Sequence, residues 1–272
     1  MLTGDEASVL FDCGMMFCAD ETINNVKAGL QGRPLDYIFA THTHYDHIGA
    51  LPFFRREWPE VKLATTSLGA AVLQKETPRR VIRELSYDAA VLFAPGRAES
   101  CMDYNDETLF ADVILKENDE IPLGGLTVKV IETPGHTRDA LSFFIPELKL
   151  LILSESTGGV VDGQAYCSYL TSYDMAIESI RKCSLLPYEY ISQAHTGIIQ
   201  PNDMDGFFHR TEAAARECKD FILFLRDSGM NSDEILKAFS EKYMGKTILD
   251  IQPEASFVIN AKATIGCTLR DF

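Results

Sequence analysis

Five of the six histidines in this chain fall in three short stretches. They are Thr41-His42-Thr43-His44-Tyr45-Asp46-His47, Thr133-Pro134-Gly135-His136-Thr137 and Ala194-His195-Thr196-Gly197. The first stretch reads His-x-His-x-Asp-His and sets three imidazoles and a carboxylate within six residues. Imidazole nitrogen and carboxylate oxygen are the donors that zinc and other borderline divalent ions prefer. Clustering of this kind in a histidine-poor chain points to a metal site, with donors enough for two ions. His209 stands apart, just after Phe207 and Phe208 on a predicted helix, and reads as structural.

The elements that must position these residues alternate between strand and helix. The pattern predicts strands over Ala7–Asp12, Leu35–Ala40, Val61–Thr65, Glu120–Pro122, Leu126–Thr133, Leu141–Ile145, Lys149–Leu153 and Tyr188–Ser192. Helices are expected over Thr22–Gly29, His47–Trp58, Ser67–Glu76, Ser172–Leu186, Phe207–Asp227, Ser232–Tyr243 (with Ser232 as its N-cap) and Pro253–Leu269. Each candidate donor follows a predicted strand: His42 after Ala40, His136 after Thr133, Glu155 after Leu153, and His195 after Ser192. Strand ends are rigid roots for reactive loops. Residues two apart in extended chain share a face, so His42, His44 and Asp46 are expected to point together. His47 then needs the chain to turn. Between Pro78 and Glu117 the pattern weakens, predicting a helical or irregular excursion that is either a wall of the site or a surface insertion.

Composition narrows the function. The chain has 272 residues, 46% of them hydrophobic and 24% charged, an ordinary globular balance. A formal charge of -15 argues against a nucleic-acid partner, because phosphate neutralisation needs a basic surface. It does not exclude a small phosphoester, since bound cations create their own local field. Seven widely spaced cysteines without a C-x-x-C pair suggest reduced, mostly buried thiols and a cytoplasmic protein. No leader and no membrane span are expected.

Taken in order, these segments resemble the metallo-β-lactamase superfamily of metallohydrolases. The resemblance runs from Phe11-Asp12-Cys13-Gly14 through the histidine motif, Thr-Pro-Gly-His-Thr and Ser154-Glu155 to Ala-His-Thr-Gly. It implies an α/β (α+β) fold, a four-layer αββα sandwich over residues 1–200, with residues 201–272 as a helical C-terminal extension. The start at Met1 is similar to the interior of the family's opening hairpin, which one or two edge strands normally precede. Carried across by position, the pattern implies that His42, His44 and His136 hold one metal and that Asp46, His47 and His195 hold the second. Glu155 would bridge them, where the family usually has Asp. The implied cofactors are two divalent ions, zinc foremost, with iron or manganese as alternatives.

The activity implied is hydrolysis of a small-molecule thioester, phosphoester or other ester by a metal-bound hydroxide. Asp46 would be the catalytic residue, orienting the nucleophile or passing a proton to the leaving group. Asp12 is read as supporting a ligand rather than being one. Ser156 and Thr196 are read as hydrogen-bond donors near the metals. Tyr166, Tyr169 and Tyr173 are either aromatic packing or a pocket wall. Two other classes remain: a metal-binding or ligand-sensing protein detuned by Glu155, and a diiron redox protein. The flavin-linked branch of the family carries Glu where this chain has His44, and it needs a flavodoxin-like domain for which this sequence shows no signal.

Overall fold

The computed structural model describes residues 1–98, 104–245 and 253–272. Cys101 and part of the predicted 78–117 excursion lie outside the described residues. The chain divides into two compact units, Met1–Glu132 with Leu141–Leu151, and Thr133–Ala140 with Ile152–Phe272.

In the first unit, five strands line up as β1 (Leu2–Thr3), β2 (Ser8–Phe11), β3 (Tyr37–Phe39), β4 (Lys62–Thr65) and β5 (Val113–Ile114). β1 runs antiparallel to β2, and β2 through β5 are parallel. Parallel neighbours need crossover connections, and helices supply them. α1 (Ala19–Leu30) links β2 to β3, and α2 (Tyr45–Ile48) and α3 (Leu51–Glu57) link β3 to β4. α4 (Ser67–Leu73) and α5 (Glu76–Phe93) precede β5. α1 buries Ile23, Val26 and Leu30, one apolar stripe at helical spacing, in a core shared with Ile38, Ile48, Leu51, Phe54 and Leu63.

The same unit contains the antiparallel strands β6 (Glu120–Pro122), β7 (Thr127–Glu132) and β8 (Leu141–Ile145). All five residues of β8 are buried. The Phe143 ring of β8 meets Phe11 at 5.0 Å and Phe39 at 5.6 Å, so these strands pack on β2 and β3 through aromatic contacts. β9 (Leu150–Ile152) is where the chain passes from the first unit to the second.

The second unit holds two hairpins, β10 (Gly159–Val161) with β11 (Gln164–Tyr166), and β12 (Tyr190–Gln193) with β13 (Gly197–Ile198). Its helices are α6 (Tyr173–Ser184), α7 (Pro201–Met204), α8 (Phe207–Asp227), α9 (Ser232–Tyr243) and α10 (Glu254–Asp271). Among the described residues, no helix is long and apolar enough to cross a membrane.

Two local features differ from expectation. The helix predicted over His47–Trp58 starts earlier, at Tyr45, and is broken after Ile48. There the Ala50 N–H turns aside to the Gly14 carbonyl at 2.9 Å, and Pro52 opens a new helix. The cap of α9 is Asn231 rather than Ser232. The Asn231 carboxamide accepts from the N–H groups of Asp233 and Glu234, while Glu234 reaches back to the Asn231 N–H. The excursion after Pro78 begins as helix, in keeping with its expected helical or irregular character: α5 starts at Glu76 and runs 18 residues.

Candidate metal centre

In the first unit, the donor loop leaves β3 at Phe39. It runs without helix to His44, whose backbone is extended, and becomes helical at Tyr45. The shared extended face therefore reaches only His42 and His44, and Asp46 and His47 instead sit in the first turn of α2. The rings of His42 and His44 are 4.5 Å apart, and those of His42 and His47 are 4.0 Å apart. A donor atom of His42 lies within 4.8 Å of one of His44, and the same holds for Asp46 and His47. His42 and His47 are almost wholly buried, whereas Asp46 and His44 keep partial access to solvent.

Asp12 explains how the loop is held. It sits in left-handed backbone (φ 55°) just after β2. Its Oδ1 accepts the Thr41 N–H at 2.7 Å, and its Oδ2 accepts the Thr41 hydroxyl and His47 Nδ1, each at 2.7 Å. The N–H groups of Cys13 and Gly14 both donate to the His47 carbonyl. His47 is thus gripped through ring and backbone by one three-residue turn. A carboxylate on Nδ1 fixes that proton and turns the lone pair of Nε2 outward, the arrangement common behind metal-ligating histidines. Thr41 Oγ1 lies 3.2 Å from His42 Nδ1 and assigns His42 the same tautomer.

The second unit assembles its donors from three separate segments. His136 Nδ1 faces the Ser168 carbonyl at 2.8 Å and the Ser168 hydroxyl at 2.9 Å, so Nδ1–H donates and Nε2 faces the other way. The His136 N–H donates to Ser156 Oγ, and Thr133 and Ser154 share a hydroxyl hydrogen bond. Gly135 is required at the bend. Its φ is 147°, and a Cβ there would lie 2.6 Å from Ala176 Cα in α6. Glu155 follows β9 in a short 3-10 turn. Its Oε2 meets His136 Nε2 at 2.8 Å, and its Oε1 meets His195 Nε2 at 3.0 Å. His195 follows β12 in left-handed backbone (φ 66°).

Neighbouring side chains brace this arrangement. Gln193 accepts from the Val160 N–H and donates to the Val160 carbonyl and to Thr196 Oγ1, tying the His195 turn to β10. Burial, with the Glu155 charge beside it, pushes the Tyr166 phenol far up, so it remains an O–H donor at any physiological pH. Tyr169 is buried, and its ring packs edge-on against Tyr173 at 5.4 Å. The Ser156 hydroxyl accepts from the His136 N–H and the Thr196 hydroxyl from Gln193. His209 is exposed on α8. Sequence reasoning overlooked Thr41, Ser168 and Gln193. Their types are common in loops and carry no spacing signal, so only the fold reveals them.

The model of the metallo-beta-lactamase superfamily matches residues 1–195. A metallo-beta-lactamase fold-containing protein of Sulfurisphaera tokodaii is 25% identical over 214 residues, 75% of this chain and 74% of its own length. A hydroxyacylglutathione hydrolase of Rhodopseudomonas palustris is 29% identical over 160 residues, 59% of this chain. The chain spans about half of that enzyme's length, 48%. Among solved structures, a metallo-beta-lactamase family protein from Thermus thermophilus has a TM-score of 0.63 at 16% identity, with 99% of this chain and 87% of that one covered. The fold is accordingly the mixed α/β sandwich of that class, with a helical C-terminal region. This chain belongs to the metallo-beta-lactamase superfamily. It carries the His, Asp and Glu clusters of a divalent-metal protein.

Proposed function

We propose that the two donor sets close on one dinuclear centre that hydrolyses an ester-type bond in a small molecule, a thioester or a phosphoester. In this reading His42, His44 and His136 hold one ion, and Asp46, His47 and His195 hold the other. The observation that carries it is Glu155, whose two carboxylate oxygens each face one histidine. Those histidines belong to different ions in the assignment. The side chain of Glu155 thus reaches both histidines.

The donors fit two zinc ions: all are nitrogen or carboxylate oxygen, and the Nδ1 contacts of His42, His47 and His136 leave Nε2 as the lone-pair nitrogen of each ring. Iron and manganese suit the same set. Two such ions supply Lewis acidity and a water acidic enough to act as nucleophile near neutral pH. Asp46 would be the base of the set. Its Oδ2 lies 3.7 Å from His47 Nε2, and it retains solvent access to take a proton from the attacking water and return it to the leaving group. The Tyr166 O–H remains a donor beside Glu155. The thioester arm is supported by the hydroxyacylglutathione hydrolases among the relatives. The free cysteines of the described residues suit a reducing, cytoplasmic setting.

The test is turnover of an acyl thioester and of a chromogenic phosphodiester by the zinc-loaded full chain, beside His42→Ala. Hydrolysis lost in the variant supports the reading. A fully metallated protein that turns over no ester, phosphoester or thioester overturns it.

A further inference from the structure

His136 is oriented by a segment that follows β11, and that segment is itself held from the far end of the chain. Along residues 168–172 the backbone wraps around Gly135 and His136. The Gly135 carbonyl accepts from the N–H groups of Leu170 at 3.1 Å and Thr171 at 2.9 Å, and from the Thr171 hydroxyl at 2.9 Å. Just before them, the Ser168 carbonyl and hydroxyl meet His136 Nδ1. The ring therefore goes where this segment goes.

Three side chains of α10, 95 to 99 residues further along, fix the segment in place. All of these residues lie in the second unit. The Thr264 hydroxyl reaches the Tyr169 carbonyl at 3.1 Å, and the Tyr169 hydroxyl lies 3.0 Å from Thr268 Oγ1. The Arg270 guanidinium donates to the Thr171 carbonyl at 2.9 Å. The Thr268 hydroxyl directs its own proton to the Thr264 carbonyl at 2.9 Å, which leaves a lone pair to accept from the Tyr169 O–H. Thr264 and Thr268 are one helical turn apart, and both are buried. Threonine is a weak helix former, and a buried hydroxyl costs free energy unless it is bonded. Apolar side chains would serve α10 better if its task were packing alone. Two buried threonines facing Tyr169 specify where that residue sits, because a buried polar network is satisfied in one arrangement.

We propose that Thr264 and Thr268 are positioning residues for the metal ligand His136, acting through the 168–172 segment. Loss of either hydroxyl takes from Tyr169 a partner on α10. The segment then shifts, and the Ser168 carbonyl and hydroxyl loosen their hold on Nδ1 together. A ring so released presents Nε2 to the ion less often, and affinity falls.

The inference rests on the reading of His136 as a ligand, so the experiment carries one measurement that needs no metal. The zinc-loaded full chain is compared with Thr264→Val and Thr268→Val, which remove the hydroxyl and keep the branched shape. Zinc affinity is titrated against a chelator of known affinity. Solvent exchange of the His136 Nδ1 proton is followed by NMR with isotope-labelled histidine. Each valine variant should bind zinc about three- to tenfold more weakly, the range of one neutral hydrogen bond, and exchange that proton severalfold faster. Thr268→Ser keeps the hydroxyl and should restore both. Tyr169→Phe removes the other end of the Thr268 bond, so adding it to Thr268→Val should cost little more than either alone. It also stands in if a valine variant fails to fold. A lower urea midpoint with unchanged zinc affinity and unchanged exchange makes the threonines ordinary packing and overturns the proposal. Weaker zinc binding with the His136 proton undisturbed overturns it as well. A chain that binds no zinc, while exchange still follows the threonines, supports their hold on His136 and refutes the metal reading.

Discussion

The two units supply their donors in opposite ways. The first presents His42, His44, Asp46 and His47 from one loop, where the exit from β3 and the first turn of α2 set every position. The second gathers His136, Glu155 and His195 from three strand ends: Glu155 faces both histidines, Ser156 and Ser168 hold His136, and Gln193 ties down the turn that carries His195. Contiguous donors are arranged by backbone geometry; dispersed donors depend on packing between elements. The first set should therefore fail by loss of an individual ligand. The second should fail by displacement of its support.

The sharpest break of this contrast is His42→Ala. The ring is buried and packed against both His44 and His47, so its removal deletes a donor and leaves a cavity among the others. Zinc content should fall to at most half and turnover to the background rate, read by metal analysis and the thioester assay. His195→Ala leaves Glu155 on His136 and empties a partly exposed position, so it should retain part of the zinc. Equal metal loss in both variants would contradict the asymmetry.

Next in size is Gly135→Ala, which touches no donor. Overpacking against Ala176 in α6, added to backbone strain at positive φ, should cost about 3 kcal/mol of stability. The measure is the urea unfolding midpoint, with zinc affinity falling alongside because His136 is the next residue. An unchanged midpoint would mean that α6 yields without effort and does not define the position of His136.

The first set was legible because its information is local: residue types at fixed spacing after an apolar run specify both the donors and the strand that carries them. The helices Phe207–Asp227 and Ser232–Tyr243 were legible for the same reason and fall where their periodicity placed them, whereas the 18-residue α5 was not marked out. What the sequence hid is non-local. The break at Gly49-Ala50 depends on Gly14, thirty-odd residues earlier, and the β10–β11 hairpin is too short to show a period. Glu155 looked like an irregularity against the family's usual Asp. Its contacts with both His136 and His195 appear only once three strand ends are in place.

Asp12→Ala tests the support within the local set. It removes the acceptor from His47 Nδ1 and from Thr41 while leaving all the proposed ligands in place. Loss of such a partner weakens metal affinity by about 10- to 100-fold, and zinc titration against a chelator of known affinity measures it. Asp12→Asn should recover part of the loss, because an amide oxygen still accepts from Nδ1. Recovery would show that the hydrogen bond, more than the charge, sets the ring.

The smallest effect is expected at Ser168→Ala, the corresponding support in the dispersed set. The Ser168 carbonyl remains at 2.8 Å from His136 Nδ1, and only the hydroxyl at 2.9 Å is lost. One neutral hydrogen bond contributes about 0.5–1.5 kcal/mol, so zinc should bind about two- to tenfold more weakly. The same titration reads it. Since the main-chain acceptor survives any side-chain change, His136 is held by the path of the chain between β11 and α6 rather than by one side chain. A loss as large as that of Asp12→Ala would reverse this, making the hydroxyl the true anchor and placing both donor sets under the same kind of control.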